Sequence, residues 1–287
     1  MGDSSLVSSA IVDFRRIESP SSINTYRQCP RKYYYQYIMK LPVSDSIHTI
    51  RGHVVHSVLE TFFVAGPDGL SSSDYSLALS QRLLHSFNTE WRQAIPQLQQ
   101  LQLGRDQVVH AYSESLGMLN NFLQWFLHRL HAEMHQGVSL TDAFSLLTPQ
   151  VEQHYESPVY KVQGYIDAIS HYKGSVAVWD YKTSRKDEIT SEYYLQLALY
   201  ALMYQEKHGK APDKVGVYFL RHGLREIPVD DSLLQHAQIA CEEIHTQTKS
   251  DAITSYPQRP GPLCKWSTGQ CDFYRQCFGQ KTVTDFS

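Results

Sequence analysis

The stretch that decides the fold is Gly164-Tyr165-Ile166-Asp167, then Tyr172-Lys173-Gly174-Ser175, then Val178-Trp179-Asp180-Tyr181-Lys182. Its residues follow the two-residue period of strands, so Asp180 and Lys182 share one face. Lys173-Gly174 reads as a two-residue turn, because glycine supplies the positive φ that such turns need. Tyr172 then pairs with Ser175, and the same register sets Asp167 opposite Asp180 with Cβ atoms about 5 Å apart. Facing carboxylates beside Ile166, Val178 and Trp179 repel, and a divalent cation offsets that cost. Hard oxygen donors suit magnesium or manganese. Taken alone, the hairpin reads equally as an exposed strand face carrying an Asp–Lys salt bridge.

The period-two pattern covers Val151–Glu156, Tyr160–Ser170 and Ser175–Lys182. A helix over 189–208, strands Val215–Arg221 and Glu226–Val229, and a helix over 232–248 follow. Upstream, a helix starts at Ser21, with Ser21-Ser22 as its cap, and Pro30 falls in the first turn of a second helix. Val55, Val58, Leu59, Phe62 and Phe63 stripe a helix over 52–63. Two amphipathic patterns run over 74–94 and 105–135. This order specifies an α/β (α+β) core with a helical insertion. The expected organisation is a mobile segment over 1–20, with a short ordered piece from Ile11 to Ile17. Helices over 21–69, the insertion over 70–148, the core over 149–255 and a cysteine region over 256–287 complete it.

The chain has 287 residues, 42% hydrophobic and 19% charged, a globular balance that excludes full disorder. A net charge of −3 argues against coating nucleic acid by bulk electrostatics, although basic residues gather locally around Arg27, Arg31 and Lys32 and around Arg221 and Arg225. No run approaches the ~18 apolar residues of a membrane span. Met1–Ala10 is polar and Ser-rich, without the features of a signal peptide, so a cytoplasmic protein with no membrane partner is expected.

Gln196 and Tyr200 lie one helical turn apart inside the apolar run Leu195–Leu202, where a Gln needs an internal hydrogen-bond partner; the acidic hairpin can supply it. His56 shares a helix side with Gly52 and Glu60, away from the apolar stripe. Of five cysteines, Cys29 stands early, Cys241 falls inside a helix and reads as packed, and Cys264, Cys271 and Cys277 cluster late. Four thiolates hold either zinc or an iron–sulfur cluster, and ligand number does not separate the two.

Cys29-Pro30-Arg31-Lys32-Tyr33, Gly52 with His56, Gly164-Tyr165-Ile166-Asp167, Asp180-Tyr181-Lys182, and Gln196 with Tyr200 together resemble the PD-(D/E)XK nuclease superfamily, in its RecB-like branch. The resemblance implies a restriction-endonuclease-like mixed sheet flanked by helices, and a metal-dependent DNA nuclease. His56, Asp167, Asp180 and the carbonyl of Tyr181 would ligate Mg2+ or Mn2+. Lys182 would be the catalytic lysine, and Gln196 and Tyr200 would support the site or contact DNA. In the iron–sulfur members one cysteine precedes the core and three follow it, which implies a 4Fe-4S cluster on Cys29, Cys264, Cys271 and Cys277 in preference to zinc. Lys265–Gln270 is a longer spacer than the family's usual one.

The chain carries no phosphate-binding Gly-x-x-x-x-Gly-Lys-Ser/Thr loop. Among family members it most resembles the CRISPR-associated exonucleases, which trim single-stranded DNA ends during spacer acquisition and work with an integrase complex. A stand-alone repair nuclease of the same fold and a non-catalytic DNA-binding scaffold are the alternatives. Facing carboxylates argue against the scaffold, which has no use for them.

Overall fold

The computed structural model describes residues 16–267 and 269–279; the ordered piece expected from Ile11 falls mostly outside them. In chain order the elements are α1 (Pro20–Gln28), α2 (Pro30–Tyr33), a π-helical turn (Tyr34–Ile38), α3 (Ile47–Val64), α4 (Tyr75–Gln100), α5 (Arg105–His135), α6 (Leu140–Leu147), β1 (Gln150–Ser157), β2 (Val162–Tyr172), β3 (Ser175–Lys182), α7 (Ser191–His208), β4 (Lys214–Phe219), β5 (Gly223–Pro228) and α8 (Asp231–Gln247). A small hairpin, β6 (Lys265–Trp266) and β7 (Gly269–Gln270), and α9 (Tyr274–Phe278) follow.

The decisive hairpin forms as its sequence requires. Lys173 and Gly174 both take positive φ, 49° and 84°, the conformation of a turn that matches strand twist. Tyr172 then faces Ser175, and the register runs on to Ala168 opposite Trp179. The five-stranded sheet keeps the order β1-β2-β3-β4-β5. β3 and β4 are parallel and the other neighbours antiparallel, so α7 must carry the chain back across the sheet between them.

Alternation along β3 splits two apolar cores. Ala177, Trp179 and Tyr181 face α3–α6, where Phe62, Phe122 and Phe126 are buried. Val178 faces the opposite layer, with Leu195, Leu199 and Met203 of α7 and Ala237 of α8. The segment read as an insertion supplies α4–α6 of this layer, and α3 from upstream completes it. No described helix is long and apolar enough to cross a membrane.

Several element ends differ from the sequence reading. Ser19, not Ser21, caps α1: its hydroxyl accepts from the Ser22 amide, Ser22 bonds back to the Ser19 amide, and Pro20 takes the first helical position. α4 continues through Pro96 to Gln100; Pro96 and Arg92 are exposed, so the carbonyl that loses its amide reaches water. α3 starts at Ile47 because the Ser46 hydroxyl accepts from the Thr49 amide. β4 ends at Phe219, and the His222 amide donates back to the Phe219 carbonyl, which leaves Arg221 in a turn. Within the segment expected to be mobile, the described residue Glu18 is fully buried and pairs with Val162.

Candidate active site at the fork of two strands

The ladder between β2 and β3 runs as far as Ala168 and Trp179. One step further, the side chain of Asp167 takes over the strand's role: its Oδ2 accepts from the Tyr181 amide at 2.7 Å. The same oxygen lies 3.5 Å from Nδ1 of His56 on α3. Pairing of β1 with β2 holds at Val151 opposite Ala168 and Gln153 opposite Ile166, and Glu152, between them, has φ 47°. That region is rare for a residue with a side chain, and such strain collects at functional sites. His56, Glu152 and Asp167 each offer a ligand atom, all within 4.8 Å of one another.

Asp180 is 2% exposed on the neighbouring strand. Its Oδ1 accepts from Gln196 Nε2 at 2.7 Å, and the same nitrogen donates to the Tyr200 hydroxyl at 2.8 Å. The stripe expected on α7 thus does meet the acidic hairpin. Asp180 Oδ2 lies 2.5 Å from Lys182 Nζ, a close ion pair. The Lys182 ammonium also stands 5.2 Å from the centroid of the Tyr193 ring.

The electrostatics follow from burial and neighbours. Burial raises the Asp180 carboxyl and Asp167 adds to this, while Lys182 pulls it down; the outcome lies above the usual carboxylate range. Burial, then the Asp167 carboxylate, raises Glu152. Burial opposes charge on Lys182, but Asp180 outweighs it, so the lysine stays a cation. His56 is likewise raised, because Asp167 and Asp180 overcome desolvation. Two carboxylates and an imidazole within reach of one point, with the buried Asp180 carboxylate on the neighbouring strand, fit a hard divalent cation.

The family model of the PD-(D/E)XK nuclease superfamily matches residues 18–278. The chain belongs to that superfamily. A crystal structure from Eubacterium rectale described as a "Putative exonuclease" superposes with a TM-score of 0.53 at 14% identity, covering 98% of this chain and 96% of that one. At such identity the likeness shows the fold alone. No curated protein matches. Superfamily nucleases use divalent metals, and the five-stranded mixed sheet with helices on both faces is their fold.

Measured against the residues expected from sequence, the structure groups His56, Asp167, Asp180, Lys182, Gln196 and Tyr200, with Tyr181 entering through its amide. The compact trio contains Glu152, which the sequence reading passed over. On a strand it looks like an ordinary solvent-side position. Its only signal is its place beside the strand that carries Asp167.

Four of the cysteines line a separate cavity. Arg31 Nε donates to the Tyr256 carbonyl at 2.7 Å, Tyr35 to the Gln276 carbonyl at 3.2 Å, and Gln258 to the Cys277 carbonyl at 3.0 Å. The first two bonds hold the C-terminal segment against α2 and the π-helical turn, and the third ties that segment to itself. Cys29, Cys264, Cys271 and Cys277 line one cavity of about 220 Å³. The spacer forms the β6–β7 hairpin, closed by the Cys271 amide on the Cys264 carbonyl at 2.9 Å. Burial, then the Cys29 and Cys271 sulfurs, push the Cys277 thiol up to about 11. Cys241 is packed in α8, 1% exposed.

Proposed function

We propose that the chain is a metal-dependent deoxyribonuclease that acts as an exonuclease on single-stranded DNA ends. The observation that carries this is the convergence of His56, Glu152 and Asp167 beside the buried Asp180–Lys182 pair. His56, Asp167 and Asp180, with Glu152, would hold Mg2+ or Mn2+; the imidazole makes manganese a good occupant. When bound, such a cation polarises the phosphate and lowers the pKa of water. Lys182, held cationic by Asp180, is placed to stabilise charge that develops on the phosphoryl oxygens. Gln196, with Tyr200 behind it, fixes the Asp180 carboxylate.

Cys29, Cys264, Cys271 and Cys277 would hold a structural 4Fe-4S cluster joining the two ends of the chain, a cross-link over a very long loop. The cluster is preferred to zinc on the resemblance to the iron–sulfur nucleases, one cysteine preceding the core and three following it. Spacer trimming with a CRISPR integrase complex is the pathway this arrangement resembles, and the cysteine placement supports it.

Linear and circular single-stranded DNA, incubated with Mn2+, test the activity. Degradation of the linear form with the circle intact is expected, and nicking of the circle would replace the exonuclease by an endonuclease. Protein purified without oxygen should contain iron and sulfide and lose both in Cys29→Ala; zinc without iron would overturn the cluster.

A further inference from the structure

Three guanidinium groups converge on one carboxylate at the carboxyl edge of the parallel strands β3 and β4. Glu114 of α5 receives Arg51 Nη1 at 2.6 Å, Arg221 Nη2 at 3.0 Å and Arg185 Nη2 at 3.4 Å, from α3, the turn after β4 and the loop after β3. The exposed His110 adds a contact at 3.4 Å. The acid is nearly covered, at 13% side-chain exposure, and Arg51 is more so, at 7%. Three cations against one anion leave a surplus of two positive charges. Arg51 Nε and Arg221 Nε are buried without a hydrogen-bond acceptor.

A solvated surface network would show neither the burial nor the orphaned donors. Buried donors without an acceptor are costly, and a ligand with acceptor oxygens would satisfy them. The position identifies that ligand. Arg51 Nη2 reaches the carbonyl of Thr183 at 3.5 Å, the residue directly after Lys182. In open α/β sheets ligands bind off the carboxyl ends of strands, and guanidinium forks match phosphate oxygens in pairs. The positive field is also felt by His48, which burial, then Arg51, holds below the usual imidazole range.

We propose that Arg185 and Arg221, backed by Arg51, bind a phosphodiester of the DNA strand next to the scissile one, and that Glu114 fills this place in the free protein. The proposal rests on the nuclease reading and adds the strand's path. Glu114 sits on the helical layer over the sheet, so that layer tunes how tightly DNA is held.

Anisotropy of a fluorescein-labelled single-stranded oligonucleotide in EDTA, titrated at several KCl concentrations, tests it without cleavage. Each lost phosphate contact lowers the slope of log K against log salt by ~0.7, about fivefold in affinity at 0.1 M. Arg185→Gln/Arg221→Gln should therefore bind about 25-fold more weakly, with a slope ~1.4 shallower. Glu114→Gln should bind more tightly, a change of opposite sign that a merely structural network does not produce. If either variant fails to fold, Arg185→Gln alone, with its side chain 75% exposed, should still lower the slope by ~0.7. Unchanged slopes in the arginine variants, or weaker binding by Glu114→Gln, would overturn the site while leaving the nuclease reading intact. A parent protein that binds no DNA would remove both.

Discussion

Lys182→Met in the metal-free protein should be far more damaging to stability than a surface lysine replacement. The Asp180 side chain is 3% exposed and Lys182 is 23% exposed, with Nζ 2.5 Å from Oδ2. Gln196 satisfies only the other oxygen. Methionine keeps the stem's apolar volume, so the loss is mainly electrostatic. Removing one partner of a buried pair costs about 3–5 kcal/mol. The lysine's partial exposure places this case at the lower end, about 3 kcal/mol. Asp180→Asn on the Lys182→Met background removes the stranded charge, and the double variant should regain about 2 kcal/mol or more. Urea unfolding in EDTA, followed by far-UV circular dichroism, gives all four corners of the cycle. A Lys182→Met cost below about 1 kcal/mol, additive with Asp180→Asn, is what exposed pairs give. It would refute the buried pair and with it the proposed charge on Lys182.

Glu152→Gln should stabilise the metal-free protein by about 1 kcal/mol, since it removes repulsion from Asp167, and weaken Mn2+ binding at least ~10-fold; unfolding and titration calorimetry read the two effects. Phe122→Ala should cost about 3–5 kcal/mol in urea unfolding, because the Phe122 ring meets Phe62, Phe63, Tyr181 and Tyr218 with centroids 5.8–6.0 Å away. Burial opposes the charge on Glu114, but Arg221 and Arg51 outweigh it and hold the carboxyl below its unfolded value. Its ion pairs thus contribute fully above about pH 4.3 and are lost as pH falls through the lower folded value. Melting temperatures from about pH 3 to 6 should fall less steeply with acid in Glu114→Gln.

Local chemistry was legible where one short segment held it. Lys173-Gly174 specified its turn, the turn specified the register, and the alternation of Val178, Trp179 and Asp180 specified which core each strand face meets. The Gln196–Tyr200 stripe announced a polar partner within the fold, and Asp180 is that partner. Features made by distant segments were not legible. Glu152 earns its place through a backbone distortion beside Asp167 that no periodicity encodes. The Arg51–Glu114 pair joins residues 63 positions apart, and in sequence each is one charge on an amphipathic helix. The pattern over 74–94 stopped short of Gln100, because the solvent that satisfies the carbonyl freed by Pro96 belongs to the folded surface.

The most direct test is cleavage of end-labelled linear single-stranded DNA in Mn2+, with parent protein and Asp180→Asn assayed together. The parent should degrade the strand, stop when EDTA is added, and outpace the variant by at least ~10²-fold, the scale of losing a main electrostatic stabiliser. Asp180→Asn cleaving at the parental rate, or cleavage persisting in EDTA, would contradict a metal-dependent site built on this strand fork.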